Sequence, residues 1–376
     1  MAFQGAQKIP LHEFPLWDRY KQKSKLYSIN FEITARCNLN CRHCYINVPV
    51  SDFTAATKEL SLEEIENIAD QAVAQGAMWC LLTGGEPLLR KDFSDIYLML
   101  KRKGLLMSVF TNATLVQEQH IELFTTYPPR DLEATVYGAS KETFERVTRK
   151  EGSFDRFMRN LEHLRRAGVN VRLKAMALRS NVHEMKEIAD FCREYTKDFF
   201  RYDPNLQYRF DGDPARNKEI NSERLSPQEI VDLERNDEER SQALQNHCDE
   251  LMLHIDPDSE RTNVFKCGVA SGGSITIGAD GRLRLCSDLF HPDFMADLRR
   301  ESLAGALDRL LPRAAALTSE RKEFVQNCAH CAIVNFCQWC PADAWLESGR
   351  LDEPINYFCR VAHERINAVK KEKTER

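Results

Sequence analysis

Three cysteines, Cys37, Cys41 and Cys44, stand close together directly after an apolar stretch near the start of the chain. Their C-x3-C-x2-C spacing suits a 4Fe–4S cluster in which three thiolates hold three irons and the fourth iron has no protein ligand. Such an open iron is a place where an outside molecule can bind and be activated. The next cysteine along the chain is Cys80, too distant in sequence to close the site locally. The alternative interpretations are a partial zinc site or three unrelated core cysteines.

The overall composition narrows the class of protein. The chain has 376 residues, 43% of them hydrophobic and 29% charged, with a net charge of −5. These values indicate a soluble globular protein of two or three domains with a large core. The mild acidic excess favours neither a nucleic acid nor an anionic membrane as partner. Because the chain has neither a signal peptide nor the ~20 continuous apolar residues of a membrane span, we expect a cytoplasmic protein.

Cysteine is unusually abundant, with 13 residues in the chain. In a reducing compartment, clustered cysteines indicate metal ligation or catalysis before disulfides. Most of them fall into two groups, one within residues 37–44 and the other within 267–359. Cys80 and Cys192 stand alone, and we expect both to be small buried hydrophobic residues.

Strand and helix patterns alternate along the first 210 residues. Helices are predicted between the strands, the first opening with the capping-box pattern Ser61-x-x-Glu64. The sixth strand is the weakest because Pro204 interrupts it. The predicted strands cover residues 27–34, 78–83, 105–111, 132–136, 169–178 and 202–210. This order predicts an α/β fold, a partial (β/α)6 TIM-like barrel that is open rather than closed into eight units.

The residues that could take part in binding or catalysis follow the predicted strands. The cysteine loop follows the first strand, Gly84-Gly85-Glu86-Pro87 the second, Asn112 the third and Tyr137 the fourth. In α/β barrels the functional groups gather at the carboxyl ends of the strands. The pattern therefore predicts one shared site at that end of the barrel.

The cysteine spacing, together with this barrel, resembles the radical SAM enzymes. In that family the open iron chelates the amino and carboxylate groups of S-adenosylmethionine (SAM). An electron from the cluster then splits the sulfonium, and the resulting 5′-deoxyadenosyl radical abstracts hydrogen from the substrate. The resemblance singles out no catalytic residue beyond these cofactors.

The resemblance also implies which residues contact SAM. The turn formed by Gly84 and Gly85 would meet the methionine amino group, with Glu86 as an acceptor. Asn112 matches a motif near the ribose, although alanine stands where the family has the next glycine. Thr135 occupies a position that faces the cofactor.

Three further side chains in this region have less defined roles. Tyr137 stands where many members of the family have aspartate, so the role of that acid is not carried over. Lys174 and Arg146 are candidates to neutralise the cofactor carboxylate, or are structural or solvated charges.

The C-terminal cysteines form a second pattern. A β-hairpin is predicted from strands at 274–277 and 282–285. The arrangement resembles the SPASM extension, which holds two auxiliary 4Fe–4S clusters. The resemblance assigns Cys267, Cys286 and Cys340 to the first cluster, and Cys328, Cys331, Cys337 and Cys359 to the second.

The first auxiliary set has only three cysteines, so its fourth ligand is undecided. It keeps an open iron, or Cys248 or an oxygen ligand completes it. The central run also departs from the family, because only two residues separate Cys337 from Cys340. Two zinc sites are the alternative, with His330 or His291 as an eighth ligand.

The sequence predicts four segments: an N-terminal extension (1–25), the barrel (26–210), a helical linker with one or two helices (211–266) and the SPASM domain with a C-terminal helix (267–376).

The resemblance implies maturation of a ribosomally made peptide with an external electron donor. Since residues 1–25 are too few for a recognition domain, the leader would bind a groove on the barrel or a separate protein. The alternatives are a sulfatase-type formylglycine maturase, tailoring of a small molecule such as a tetrapyrrole, and a non-catalytic iron–sulfur or zinc protein. Against the maturase, Ser287 separates Cys286 from Asp288.

Overall fold

The computed structural model describes residues 26–196, 200–253 and 262–375, so the predicted extension over residues 1–25 lies outside the described chain. Within these ranges a nine-stranded sheet is the centre of the fold. Its strands are β1 (Ser28–Thr34), β2 (Trp79–Gly84), β3 (Leu106–Thr111), β4 (Asp131–Val136), β5 (Val171–Met176), β6 (Arg201–Asp203), β7 (Ser274–Ile277), β8 (Arg282–Arg284) and β9 (Met295–Asp297).

The first six strands lie side by side in chain order, and each pairs in parallel with the next. The connections between them contain helices, as parallel pairing requires. The sheet has β6 at one edge and β9 at the other, so it stays open. This confirms the predicted partial barrel.

The sixth strand is shorter than the sequence pattern indicated. Only Arg201–Asp203 pair with β5, and the ladder stops at the match of Met176 with Asp203. The next residue, Pro204, has no N–H to continue the ladder. The prediction of a strand over 202–210 was therefore wrong in its length.

Helices cover one face of the sheet. Ser61 and Glu64 form the predicted capping box at the start of the second helix. The helices are α1 (Phe53–Lys58), α2 (Leu62–Ala74), α3 (Phe93–Arg102), α4 (Glu118–Thr126), α5 (Lys141–Thr148), α6 (Ser153–Arg166), α7 (Met185–Tyr195), α8 (Pro214–Glu223), α9 (Pro227–Asn236), α10 (Glu238–Leu251), α11 (Leu303–Ala316), α12 (Lys322–Phe324), α13 (Pro341–Ser348) and α14 (Asn356–Glu375).

Along each strand, successive side chains point to opposite faces of the sheet, one facing the apolar core and the other the barrel interior. Leu82, Val109, Ala134 and Leu173 are buried on the helix-covered face and join one apolar core. Their neighbours in sequence point to the opposite face, where they line cavities in the open barrel. The same strands therefore build the core and present polar side chains to the barrel interior.

The C-terminal hairpin continues the sheet of the barrel. Strand β7 pairs in parallel with β1, matching Phe31 with Ile277, while β8 and β9 follow in antiparallel order. The sequence pattern indicated the hairpin but not its place beside β1. Between barrel and hairpin, the described part of residues 211–266 contains three helices, α8, α9 and α10, where one or two were expected.

None of the helices in the described ranges combines the length and the apolar character that crossing a bilayer requires.

Candidate metal and cofactor site

The three N-terminal cysteines line one cavity of about 350 Å³ at the carboxyl ends of the barrel strands. Burial raises the pKa of Cys37 to about 12, and that of Cys41 well above its usual value. The proximity of Cys37, Cys41 and Cys44 to one another adds to both shifts. A positively charged iron centre is the kind of partner that makes thiolates stable in such surroundings.

Helix α8, which follows the barrel strands in the chain, contacts the cysteine loop. Arg216 donates from Nη2 to the carbonyl oxygen of Cys41 over 2.9 Å. Arg42 forms an ion pair with Glu223, whose side chain is 3% exposed. The loop also binds the end of α5, since the N–H of Arg42 donates to the carbonyl of Val147. These contacts position the cysteines through two separate helices, α8 and α5.

The Gly-Gly turn after β2 packs directly on the start of the cysteine loop. A Cβ on Gly84 would lie 2.2 Å from the carbonyl oxygen of Thr34, and one on Gly85 would lie 2.3 Å from that of Arg36. Gly84 also adopts φ of 125°. The sequence argument gave both glycines a role in the approach of a ligand. The structure adds that the chain's own backbone requires them.

Glu86 is enclosed, with 0% of its surface exposed. Its carboxylate accepts hydrogen bonds from Thr111 Oγ1 at 2.7 Å, Asn112 N at 2.7 Å and Leu88 N at 3.1 Å. Burial raises its pKa to about 7. Glu86 therefore holds the loop after β3 against the turn after β2, whereas its contact with a cofactor amine stays a prediction.

Asn112 connects the third strand to the cysteine loop. Its Nδ2 donates to Asn38 Oδ1 at 3.0 Å and lies 3.7 Å from Cys37 Sγ. Ala113 adopts φ of 58°, a left-handed conformation that favours glycine. This conformation explains why the family pattern has glycine there. Thr135 lines the same cavity from β4.

The two candidate cations occupy different places. Lys174 lines the cavity, with Nζ 3.2 Å from Glu133 Oε2 and 3.5 Å from the centre of the Phe110 ring. Burial lowers its pKa. Arg146 is not among the residues that line the cavity and donates to Thr143 Oγ1 at 2.9 Å. Lys174 is thus the one of the two that faces the site.

Sequence reasoning missed part of the cavity wall. Asp203 lies at the end of β6, and Asp343 lies in α13, three residues after Cys340. Asp288 also lines the cavity, although Ser287 separates it from Cys286. Burial raises the pKa of all three carboxyls, that of Asp343 to about 7. The available signals were the carboxyl end of a strand and the nearness of the latter two to cysteines.

The four cysteines assigned to the second auxiliary cluster line a separate cavity of about 260 Å³. These residues are Cys328, Cys331, Cys337 and Cys359. Burial raises the pKa of the Cys328 thiol to about 11, and its three companions add to the shift. The fold thus brings residues from α14 and from the run before α13 to one place. Their role as cluster ligands stays a prediction.

The cysteines assigned to the first auxiliary cluster are less enclosed. Cys267 and Cys340 line a cavity of about 510 Å³, and the nearby Cys267 thiol contributes to the raised pKa of Cys286. Cys248 is not among the lining residues of that cavity; it packs in an apolar cluster that includes Phe336. This position disfavours Cys248 as the missing fourth ligand. An open iron and an oxygen ligand both remain as alternatives.

The two histidines proposed for a zinc site have other neighbours. His330 Nδ1 lies 3.1 Å from the carbonyl oxygen of Val325, and His291 packs on the Trp345 ring. In the described chain no group of three or more His, Cys, Asp or Glu side chains is arranged to hold a single metal ion. The isolated Cys80 and Cys192 are each 1% exposed, as expected of core residues.

Residues 31–192 match the sequence model of the radical SAM superfamily. This range covers the second half of β1, strands β2 to β5, the cysteine loop and the Gly-Gly turn. The match therefore includes the elements that line the first cavity, with the exception of β6 and the C-terminal region.

Two curated relatives are similar over part of their length. The antilisterial bacteriocin subtilosin biosynthesis protein AlbA of Bacillus subtilis is 26% identical over 70% of this chain and 55% of its own. The Fe-coproporphyrin III synthase of Methanosarcina barkeri is 27% identical over 51% of this chain and 46% of its own. The chain spans about half the length of the curated relatives it matches.

A solved structure extends the similarity of fold to the C-terminal region. The crystal structure of Streptococcus suis SuiB bound to precursor peptide SuiA superposes with a TM-score of 0.65 at 14% identity. The superposition covers 92% of this chain and 80% of that chain. At this identity the similarity concerns the fold alone.

Proposed function

We propose that this chain, whose residues 31–192 match the radical SAM superfamily, is a radical SAM enzyme that modifies a ribosomally made peptide by abstracting hydrogen from it. The observation that carries the proposal is the first cavity. It gathers the three cysteines, the Gly-Gly turn and the loop after β3 at one end of the barrel. Such an end is where barrel enzymes place their reacting groups.

The residues of the first cavity fit a three-thiolate cluster and its cofactor. Cys37, Cys41 and Cys44 would hold the cluster, and Asn112 and Thr135, which line the same cavity, would contact SAM. When bound, the cluster and SAM supply the 5′-deoxyadenosyl radical that the family uses. Lys174 presents a cation to the cavity. The chain's own contribution is thus to hold and orient the cofactor.

Several observations support a peptide as substrate. AlbA acts in the biosynthesis of the bacteriocin subtilosin, and SuiB binds the precursor peptide SuiA. The C-terminal region contributes Asp288 and Asp343 to the cavity, so the substrate site includes more than the radical SAM domain. We further propose two auxiliary 4Fe–4S clusters on the cysteine sets described above, and an external electron donor. A leader segment would bind a groove on the barrel or a separate protein.

The test uses anaerobically reconstituted protein with SAM, a reductant and the short peptides encoded beside the gene. Mass spectrometry follows the peptide, and chromatography follows 5′-deoxyadenosine. The proposal predicts a peptide that loses two hydrogen masses or gains another defined modification, in step with 5′-deoxyadenosine. If none of the peptides changes while 5′-deoxyadenosine still forms, the peptide substrate is wrong.

A tetrapyrrole is the second candidate substrate, because the Fe-coproporphyrin III synthase is among the relatives. The same assay with a tetrapyrrole in place of peptide separates the two. A mass change of the tetrapyrrole in step with 5′-deoxyadenosine would favour tailoring of a small molecule.

A further inference from the structure

Three side chains tie the cysteine loop to the part of the chain that follows β6. Asn47 lies just after the last cysteine of the loop, lines the first cavity and is 8% exposed. Its Nδ2 donates to the carbonyl oxygen of Leu39 at 3.3 Å, which joins the two sides of the loop. Arg209 and Arg216 both donate to its amide oxygen, at 3.3 and 3.5 Å. Asn47, Arg209 and Arg216 are called the arginine clamp.

Arg209 is the most deeply buried member of the arginine clamp, with 5% of its surface exposed. Its Nη1 also donates to the carbonyl oxygen of Asn47 at 3.1 Å, and its backbone N–H donates to Asn217 Oδ1 at 2.8 Å. The next residue, Phe210, donates from its backbone N–H to the carbonyl oxygen of Tyr45 at 3.4 Å. These contacts fix the Arg209 guanidinium beside the end of the cysteine loop.

The charge of Arg209 is compensated unevenly. Its counter-ion is Asp211, with Nη2 and Oδ2 2.6 Å apart, and the two side chains are 6% and 38% exposed. Water therefore screens the carboxylate more than the guanidinium. Burial by itself lowers the pKa of Arg209, but its hydrogen bonds and charge attraction to Asp211, followed by the charge of Cys44, raise it overall. The guanidinium thus contributes positive potential at the cysteine loop.

We propose that Arg209 raises the reduction potential of the cluster that Cys37, Cys41 and Cys44 would hold, which is called the N-terminal cluster. Reduction adds one electron from the external donor and makes the thiolate-bound iron centre more negative by one charge. A buried cation nearby stabilises the reduced form more than the oxidised form.

Arg209 is a positioning residue in this proposal, because it contacts the loop through Asn47 and acts on the cluster through space. The reduced form is the one that passes an electron to SAM, so Arg209 would make that form easier for the donor to reach. The inference rests on the proposed function, since it assumes a cluster on the cysteine loop.

The test is a redox titration of the reconstituted protein, with dithionite as the reductant and electron paramagnetic resonance as the readout. The signal that changes when SAM is added identifies the N-terminal cluster. In Arg209→Gln, the ratio of reduced to oxidised N-terminal cluster at a fixed solution potential should fall roughly three- to ten-fold. A ten-fold fall corresponds to about 59 mV for one electron. Arg209→Lys keeps the charge and should stay close to the wild-type ratio.

Arg90→Gln is the matched control. Arg90 also pairs with a carboxylate two residues on, Asp92, at 2.6 Å, and the two side chains are 7% and 36% exposed. Its guanidinium donates to the carbonyl oxygens of Ile33 and Leu60 rather than to the cysteine loop. The ratio in this variant should equal that of the wild-type protein. Iron content and circular dichroism verify that each variant is folded and loaded.

Asp211→Asn gives a second test that holds even if Arg209→Gln does not fold. This change leaves Arg209 in place with less compensation, so the ratio of reduced to oxidised cluster should rise. An unchanged or lower ratio in folded Asp211→Asn would overturn the proposal.

An unchanged ratio in folded Arg209→Gln would also overturn it. Equal falls in Arg209→Gln and Arg209→Lys, or in Arg209→Gln and Arg90→Gln, would do the same, because the charge beside the loop would then not be the cause. A reconstituted wild-type protein without any signal that responds to SAM would instead contradict the proposed function, so the two failures are distinguishable.

Discussion

Arg216 follows the six barrel strands in the chain, yet its guanidinium donates a hydrogen bond to the carbonyl oxygen of Cys41, the middle cysteine of the loop. The side chain is 17% exposed and also pairs with Glu219. A hydrogen bond that involves a charged group contributes about 1.5–3 kcal/mol. Helix α8 thus acts directly on the segment that would hold the first cluster.

Arg216→Met should loosen that segment without removing a thiol. We expect the first cluster to lose iron to a chelator several-fold faster, while the iron of the auxiliary sets is retained. Timed chelation followed by optical absorption measures this. Arg165→Met is the control, because Arg165 is exposed and pairs with Glu162 on its own helix. Equal rates of iron loss in both variants would contradict the bracing role.

Cys359 tests the second auxiliary set. It is exposed at the start of α14 but lines the cavity shared with three other cysteines. Three clusters predict about twelve irons per chain, and Cys359→Ala should remove about four of them or make them labile. Cys192→Ala, at a buried cysteine outside both groups, should keep the full number. Iron and sulfide analysis after anaerobic reconstitution measures the iron content of both variants. Undiminished iron in Cys359→Ala would remove this residue from the ligand set.

Gly85 tests the packing of the turn on the cysteine loop. In Gly85→Ala the new Cβ would meet the carbonyl oxygens of Arg36 and Ala35 at 2.3 and 2.5 Å. Neither backbone group can turn aside, so the loop must shift, at a cost of about 1–3 kcal/mol. We expect a lower melting temperature and weaker binding of SAM by isothermal calorimetry. Gly305→Ala, where the nearest atom is the Ser302 hydroxyl at 3.2 Å, should show neither change.

Glu86 gives a prediction for pH. Its pKa is raised to about 7 by burial, above the ordinary value of 4.5. A raised carboxyl pKa means that the folded protein holds a proton that the unfolded chain releases. The contribution of Glu86 to stability is therefore fully present below pH 4.5 and is lost as pH rises through about 7. The change amounts to at most roughly 3 kcal/mol.

Glu86→Gln should remove this part of the pH dependence. Urea unfolding of the wild-type and variant proteins between pH 5 and pH 8 measures it, since the interval spans the raised pKa of about 7. The difference in unfolding free energy between them should change between pH 5 and about pH 7 and level off above it. A constant difference would show that Glu86 does not titrate there.

The alternation of strands and helices was enough to predict the barrel, because hydrophobic periodicity specifies each element locally. Its ordered parallel sheet then follows from the handedness and length of the connections. The cysteine spacings likewise predicted two places where thiols gather. In both cases the information lies within short stretches of sequence.

The sequence did not predict the relations between distant segments. The pairing of β7 with β1 depends on packing, and no local pattern specifies it. Asp343 lines the first cavity only because the C-terminal region folds over it. No local sequence pattern indicates that Arg216 contacts Cys41. Glu86 was expected to meet the cofactor, whereas its buried hydrogen bonds to the loop after β3 become visible only in three dimensions.

The most direct test of the central claim is the formation of 5′-deoxyadenosine by the reconstituted protein with SAM and dithionite, compared with Cys41→Ala. The account predicts steady product from the wild-type protein and essentially none from the variant, although the variant should keep the iron of the auxiliary sets. No product from wild-type protein that carries its clusters, or equal product from both proteins, would contradict it.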